Sequence, residues 1–136
     1  MSYLVDTNVL SELRRKTPEP AVARWFADRP ASTLYLSVLT LGELRKGIER
    51  LAEPARRLAL LDWLETELPA FFAGRLLALD AAVADRWGHL QARAGRPLPA
   101  IDSLLAATAQ QHGLILVTRN VRDVVDLGVQ VLDPWG

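Results

Sequence analysis

The stretch YLVDTNVL, residues 3–10, runs from a short apolar segment straight into an aspartate and two further small polar side chains. The apolar segment is typical of a buried β-strand, and a charged group at its end is costly unless it finds partners. The three polar residues could simply cap a helix that begins near Val9. The alternative is that Asp6 meets other carboxylates, and the rest of the chain decides between these explanations.

Four more short apolar runs follow, and helical patterns separate all five. The strands are predicted over residues 3–5, 34–36, 76–79, 114–117 and 129–132. Helices are predicted over residues 9–15, 18–27, 38–52, 54–72 with a break near Pro69, 81–94 and 99–112, with a short one after Asn120. Apolar strands that alternate with helices predict an α/β fold, in which helices cover both faces of a central, mainly parallel five-stranded sheet.

The composition limits the classes of protein to which the chain can belong. The 136 residues, half of them hydrophobic, suffice for one domain, which we expect to span residues 1–136. The absence of cysteine excludes a disulfide framework and thiolate metal sites. The 16 basic and 16 acidic residues give no net charge, which argues against coating nucleic acid by bulk charge. No signal peptide or membrane-spanning run is recognisable, so we expect a cytoplasmic protein without a membrane partner.

Oxygen-bearing side chains follow every predicted strand, and carboxylates stand near the starts of separate helices. The residues directly after the strands are Asp6, Ser37, Asp80, Thr118 and Asp133. Glu43 and Asp102 lie early in two later helices, and Asn120 follows the fourth strand. Because a parallel sheet brings the carboxyl ends of its strands to one edge, we expect Asp6, Glu43 and Asp102 to converge there.

Each of these residues also has an ordinary explanation. Glu43 matches the last position of a capping box that starts at Thr40, although Ser37 could cap the same helix one turn earlier. Asp102 could act only on the dipole of its helix, and Asn120 could cap the next one. None of these explanations accounts for the shared position of the residues at one edge of the sheet.

Converging carboxylates repel each other unless their pKa values rise or a cation lies between them. With no cysteine and only two histidines in the chain, the available ligands are oxygen atoms. Oxygen ligands favour Mg²⁺ or Mn²⁺ over Zn²⁺. The sequence therefore predicts a magnesium or manganese site. A nucleotide-binding Rossmann fold is not expected, because no strand is followed by a glycine-rich loop.

Four segments resemble, in order, the motifs of PIN-domain ribonucleases. They are LVDTNVLSEL (residues 4–13), LSVLTLGELRKGI (36–48), AIDSLLAATAQQHGL (100–114) and LVTRNVRDV (116–124). The resemblance is closest to the VapC toxins of toxin–antitoxin pairs and their FitB-like relatives, and the ending VLDPWG is similar to the FitB-like subgroup. It covers the whole chain.

The resemblance implies a PIN-like three-layer α/β/α sandwich that cleaves RNA endonucleolytically with an activated water and Mg²⁺ or Mn²⁺. It also implies a homodimer, a cognate VapB-type antitoxin as inhibitor, and a higher assembly with that antitoxin. The acidic metal-site positions of the family fall on Asp6, Glu43 and Asp102, and supporting positions fall on Asn8 and Thr118. Thr7, next to Asp6, is a further candidate for a supporting residue. A fourth acidic position of many relatives falls on Asn120, so that Asp123 could supply the missing carboxylate and the number of metals stays open.

RNA has to be held near a negative site, and most basic residues of the chain are expected to be solvated on helix faces. Arg45, Lys46 and Arg119 lie closest in sequence to the metal-site positions and are therefore the predicted phosphate contacts. Two alternatives remain. A receiver-like phosphoacceptor would need a lysine after a late strand, and both lysines precede residue 47. A non-catalytic binding module is favoured only by Asn120.

Overall fold

Five parallel strands form one sheet in the computed structural model, which describes residues 1–136. The strands are β1 (Tyr3–Val5), β2 (Leu34–Ser37), β3 (Leu76–Leu77), β4 (Ile115–Val117) and β5 (Val131–Leu132). Their order in the sheet is β3-β2-β1-β4-β5, and every neighbouring pair is parallel. The predicted five-stranded parallel sheet is confirmed. A receiver-like fold, whose strands would follow the order 2-1-3-4-5, does not match.

Eight α-helices connect and cover the strands. They are α1 (Thr7–Leu13), α2 (Pro20–Ala27), α3 (Val38–Glu49), α4 (Pro54–Asp62), α5 (Leu68–Phe71), α6 (Ala81–Arg93), α7 (Ala100–His112) and α8 (Val121–Val124). Short 3₁₀ turns precede β2 and follow α8. None of the helices combines the length and the hydrophobicity that crossing a lipid bilayer would require.

Alternate residues of β1 face two separate hydrophobic cores, as the two-residue period of a strand dictates. Tyr3 and Val5 pack with the apolar residues of α1 to α5 on one side of the sheet. Leu4 packs with those of α6, α7 and α8 on the other side. The sheet is therefore covered on both faces, and the predicted three-layer α/β/α sandwich is confirmed.

The region from residue 54 to 72 departs from the prediction. The expected break near Pro69 is wrong, because a π-helical turn at Trp63–Glu67 joins α4 directly to α5. Leu68 donates its backbone N–H to the Trp63 carbonyl, five residues earlier. Proline lacks a backbone N–H, and its ring collides with the carbonyl four residues back in a regular α-helix. The wider turn before Pro69 accommodates both defects.

Several predicted boundaries shift by a few residues. β3 and β5 contain two residues each instead of four, and β4 begins one residue late, at Ile115. α2 starts at Pro20, two residues after its predicted start, and α3 ends at Glu49, three residues before its predicted end. α1 starts at Thr7 and not near Val9, because Asp6 is the capping residue.

The strand order places a crevice next to β1. The chain leaves β1 for β2 and β3 on one side and returns to form β4 and β5 on the other. The loops after β1 and β4 therefore diverge at the carboxyl edge, which is where ligands bind in open parallel sheets. The two strands stay joined up to this point, since the Asp6 backbone N–H donates to the Val117 carbonyl over 2.9 Å.

The two-sided core predicts a large difference between two leucine truncations. Leu4 is fully buried in β1, whereas Leu58 on α4 is 65% exposed. We expect Leu4→Ala to lower the free energy of unfolding by about 2 to 5 kcal/mol. Leu58→Ala, the matched control, should change it by no more than about 0.5 kcal/mol. Urea denaturation measures both, and equal effects would contradict the packing described for β1.

Candidate active site

Asp6 lies at the carboxyl end of β1, buried and held by three neighbours. The Thr7 backbone N–H donates to Oδ1 over 2.6 Å, and the Thr118 hydroxyl donates to Oδ2 over 2.6 Å. The Asn8 side-chain amide lies 3.4 Å from Oδ2. The capping explanation for Asp6 is therefore confirmed, and the same carboxylate also bonds across the sheet to the residue that follows β4.

Thr118 connects the loops that flank the crevice. Its Oγ1 accepts from the Asn8 amide over 3.3 Å and from the Asn120 backbone N–H over 3.0 Å, while its own proton goes to Asp6. The Arg119 backbone N–H in turn donates to Asn8 Oδ1 over 3.4 Å. The predicted supporting residues Asn8 and Thr118 thus lie together beside Asp6.

Glu43 has no part in a capping box. Ser37 is the residue that caps α3, accepting from the Leu39 backbone N–H over 3.1 Å, and Thr40 is buried inside the helix. The Thr7 hydroxyl donates to Glu43 Oε1 and lies 3.1 Å from the Thr40 hydroxyl. The half-buried Glu43 is thereby bonded to the residue next to Asp6, as its predicted place in the site requires.

Asp102 and Asn120 both line the cleft near the loop after β4. Asp102 lies in the first turn of α7, and the nearby Asn120 side chain acts to lower the pKa of its carboxyl group. Asn120 occupies the position before α8 but makes no side-chain cap, so the capping explanation for it is wrong. Asp123 lies near enough for its charge to raise the pKa of Asp102.

These residues line a cleft of about 480 Å³ at the carboxyl edge of the sheet. Its walls include Asp6, Thr7, Asn8, Glu43, Asp102 and Asn120. Burial, with a smaller contribution from the charges of Asp102 and Glu43, raises the pKa of Asp6 to about 6, although the hydrogen bonds from Thr118 and Thr7 act to lower it. Burial, then the charges of Asp123 and Glu43, also raise the pKa of Asp102. The carboxylates are therefore electrostatically coupled across the cleft.

The cleft contains four residues that sequence reasoning did not assign to the site: Ser11, Glu12, Arg15 and Trp135. Glu12 is buried, accepts from the Glu19 backbone N–H over 2.9 Å and pairs with Arg15 over 3.2 Å. The bond from Glu19, followed by the Arg15 partner, lowers the pKa of Glu12. Helical spacing offered a signal for Glu12, because it follows Asn8 by four residues and so shares its face of α1.

The three predicted phosphate contacts lie in different places. Arg119 borders the cleft, with its guanidinium 4.9 Å from the centre of the Trp135 ring. Lys46 borders a neighbouring groove and not the cleft. Arg45 borders neither and is bonded to Glu49 and Glu65, over 3.5 and 3.1 Å. No carboxylate lies within ion-pair distance of Arg119.

The acidic residues do not form a closed set of direct metal ligands. No three Asp, Glu or His side chains lie close enough together to hold one ion. The ligand atoms that the cleft offers nevertheless suit a hydrated hard cation, because they are carboxylate, amide and hydroxyl oxygens and because neighbouring carboxylates raise the pKa values of Asp6 and Asp102. Mg²⁺ binds through one or two carboxylates and retains several waters, so these residues fit such an ion without a three-carboxylate cage.

The fold and the site define an α/β protein with an acidic, oxygen-lined cleft. The cleft lies at the carboxyl edge of a parallel sheet, next to β1, where the order of the strands reverses. The family model of the PIN domain matches residues 3–125. The chain belongs to the PIN-domain family, and the resemblance found in its motifs is confirmed.

Two relatives and one solved structure illustrate the similarity. VapC ribonuclease Y4jK of Sinorhizobium fredii is 35% identical over 135 residues, which cover 97% of this chain and 96% of the relative. Toxin FitB of Neisseria gonorrhoeae is 36% identical over 135 residues and 97% of each chain. The crystal structure of FitAcB from Neisseria gonorrhoeae superimposes with a TM-score of 0.93 at 35% identity, covering 98% of both chains.

The buried Asp6 predicts an unusual pH dependence of stability in metal-free protein. Its pKa is about 6 in the fold against an ordinary 3.8, so the folded state keeps a proton that the unfolded chain has lost. Stability should therefore fall as the pH rises from about 4 to about 6, by up to roughly 3 kcal/mol. Urea denaturation in EDTA measures this slope.

Asp6→Asn should remove most of that slope and leave the smaller contribution of Asp102, whose raised pKa acts with the same sign. Asp85→Asn, on the exposed face of α6, is the matched control and should keep the slope of the wild type. Parallel profiles for wild type and Asp6→Asn would contradict the described environment of Asp6.

Proposed function

We propose that this chain is a metal-dependent endoribonuclease toxin that hydrolyses RNA phosphodiester bonds and is neutralised by a cognate VapB-type antitoxin. The observation that carries this proposal is the buried Asp6 carboxylate, bonded to Thr118 and coupled in charge to Asp102 and Glu43 across an open cleft. The similarity to a VapC ribonuclease and to toxin FitB supports the same chemistry.

Asp6, Glu43, Asp102 and Asn120 are the residues that would hold Mg²⁺ or Mn²⁺, in part through water. Such an ion lowers the pKa of a bound water and neutralises charge on the phosphate oxygens. Asp6 and Asp102 then have different roles in the reaction. Both oxygens of Asp6 already accept strong hydrogen bonds, from Thr7 and Thr118. Asp102 is half-buried with a raised pKa, which suits a group that orients a water and accepts its proton.

Water as the attacking group makes the RNA 2′-hydroxyl unnecessary. In-line attack on the phosphodiester would leave a 5′-phosphate and a 3′-hydroxyl. Arg119 is the cleft cation best placed to contact the phosphate, because Arg15 is already paired with Glu12. The ring of Trp135 beneath its guanidinium restricts where that charge can lie.

The proposed partners are the antitoxin, the RNA substrate and a second copy of the chain. The proposed location is the cytoplasm, where cellular RNA is found. An apolar groove of about 370 Å³ between α1, α2 and α5 offers a surface for an apolar segment of a partner. Phe26 and Phe71 stack beside it with ring centres 5.7 Å apart, and Phe71 is 38% exposed. The relative FitB, which is named a toxin, supports an antitoxin as that partner.

Cleavage of structured RNAs by the purified chain, freed of any bound antitoxin, tests the proposed activity. We expect cleavage with Mg²⁺ or Mn²⁺ that EDTA abolishes and that leaves 5′-phosphate ends. Asp6→Asn and Asp102→Asn should each reduce the rate by roughly 100-fold or more while the circular dichroism spectrum stays native. Asp85→Asn is the control and should cleave normally. Full activity in EDTA would refute the metal-dependent mechanism.

The role of Asn120 can be measured without RNA, by the thermal shift that Mn²⁺ produces. Asn120→Asp adds a carboxylate beside Asp102 and near Asp123, so the metal-free protein should melt lower than the wild type. The same added charge should strengthen Mn²⁺ binding and enlarge the rise in Tm on adding the ion. If Asn120→Asp lowers Tm and leaves the Mn²⁺ shift unchanged, Asn120 does not face the ion.

A further inference from the structure

A groove of about 650 Å³ runs along the exposed side of α3, next to the cleft. Thr7 and Glu43 line both depressions, so that the groove adjoins the cleft at these two residues. Gly42, Lys46 and Arg50 border the groove and not the cleft, and Gly47 lines both the groove and a further depression beside α4. Apart from Thr7 and Glu43, no residue of the groove has a part in the proposed chemistry.

Two glycines in the groove have no explanation within the chain itself. Gly42 and Gly47 lie inside α3, where alanine is the more favourable residue. Neither has a positive φ, and a Cβ built at either position would meet no atom within 4 Å. Since neither backbone conformation nor internal packing calls for glycine, the bare backbone faces space available to something outside the chain.

The charges beside these glycines indicate what that occupant is. Lys46 and Arg50 border the groove, and no carboxylate lies within ion-pair distance of either. Arg45, on the other side of the same helix, is paired with two glutamates. Cations that lack a carboxylate partner in a groove next to the cleft attract a polyanion that extends from the cleft.

We infer that the α3 groove binds the stretch of the RNA strand that adjoins the scissile phosphate. The strand lies against the bare backbone of Gly42 and Gly47, and Lys46 and Arg50 contact its phosphates. This inference rests on the proposed ribonuclease function and assigns that function a substrate subsite beyond the cleft.

A side chain added at Gly42 tests the inference, because it should move stability and RNA binding in opposite directions. Gly42→Ala should raise Tm by ~2–5 °C, since alanine favours the helix. It should also weaken RNA binding by roughly fivefold, the scale of one disturbed nucleotide contact, and Gly42→Leu should weaken it more. Affinity is measured by fluorescence anisotropy of labelled oligouridylate in the cleavage-deficient Asp6→Asn background, and KM is measured in the active protein.

Gly88 supplies the matched control. It lies inside α6, is exposed, and its added Cβ would likewise meet no atom within 4 Å. Gly88→Ala should raise Tm as Gly42→Ala does and leave RNA affinity unchanged. A purely structural role of Gly42 cannot produce a more stable protein that binds RNA less well.

The salt dependence of RNA binding tests whether Lys46 and Arg50 contact phosphates. Lys46→Ala and Arg50→Ala should each reduce the slope of log affinity against log salt by about 1. Arg24→Ala, at an exposed position on α2 outside both depressions, should leave the slope unchanged.

Two results would overturn the inference. One is that Gly42→Ala stabilises the protein while RNA affinity and KM stay as in the wild type. The other is that Gly42→Ala changes the oligomeric state in size-exclusion chromatography without changing RNA affinity, which would assign the groove to a second copy of the chain. If the wild type binds oligouridylate through the groove but cleaves no RNA, the proposed activity fails and the binding groove stands.

Discussion

The hydrogen bond from the Thr118 hydroxyl to the Asp6 carboxylate joins residues that are 112 positions apart in the sequence. It links the residue after β1 to the residue after β4 at the carboxyl edge of the sheet. A buried carboxylate is costly without partners, so this bond allows a charge to stand where the sheet would otherwise have to be apolar. Asn8, Arg119 and Asn120 then attach to the same two residues. The geometry of the cleft follows from this one contact, because it fixes the loops of both strands.

The cleft concentrates charge in a chain whose total is neutral. Asp6 and Asp102 carry raised pKa values, whereas Glu12 has a lowered one because backbone and arginine donors satisfy it. The carboxylates of one cleft thus divide into two whose pKa values are raised mainly by burial and one whose pKa is lowered by its hydrogen-bond donors. The first kind suits binding and catalysis, and Glu12 instead ties α1 to the start of α2.

Much of the fold could be predicted, because apolar strands and helical spacing are local signals. The convergence of Asp6, Glu43 and Asp102 followed from the topology of a parallel sheet. The role of Glu43 could not be decided from its own segment, since the hydroxyl that binds it, Thr7, lies 36 residues away. The π-helical turn before Pro69 was missed for a related reason: whether a proline ends a helix or widens it depends on packing in the core. Asn120 was ambiguous because an amide serves equally well as cap or partner.

The shortness of β3 and β5, with two residues each at the two edges of the sheet, constrains how this chain associates. An exposed edge strand of normal length offers a row of unpaired backbone groups that another chain can extend. Two-residue edges offer almost none. Continuous intermolecular sheets, and the aggregation that starts from them, are therefore disfavoured at both ends, and helices and side chains supply the surfaces through which this chain can assemble.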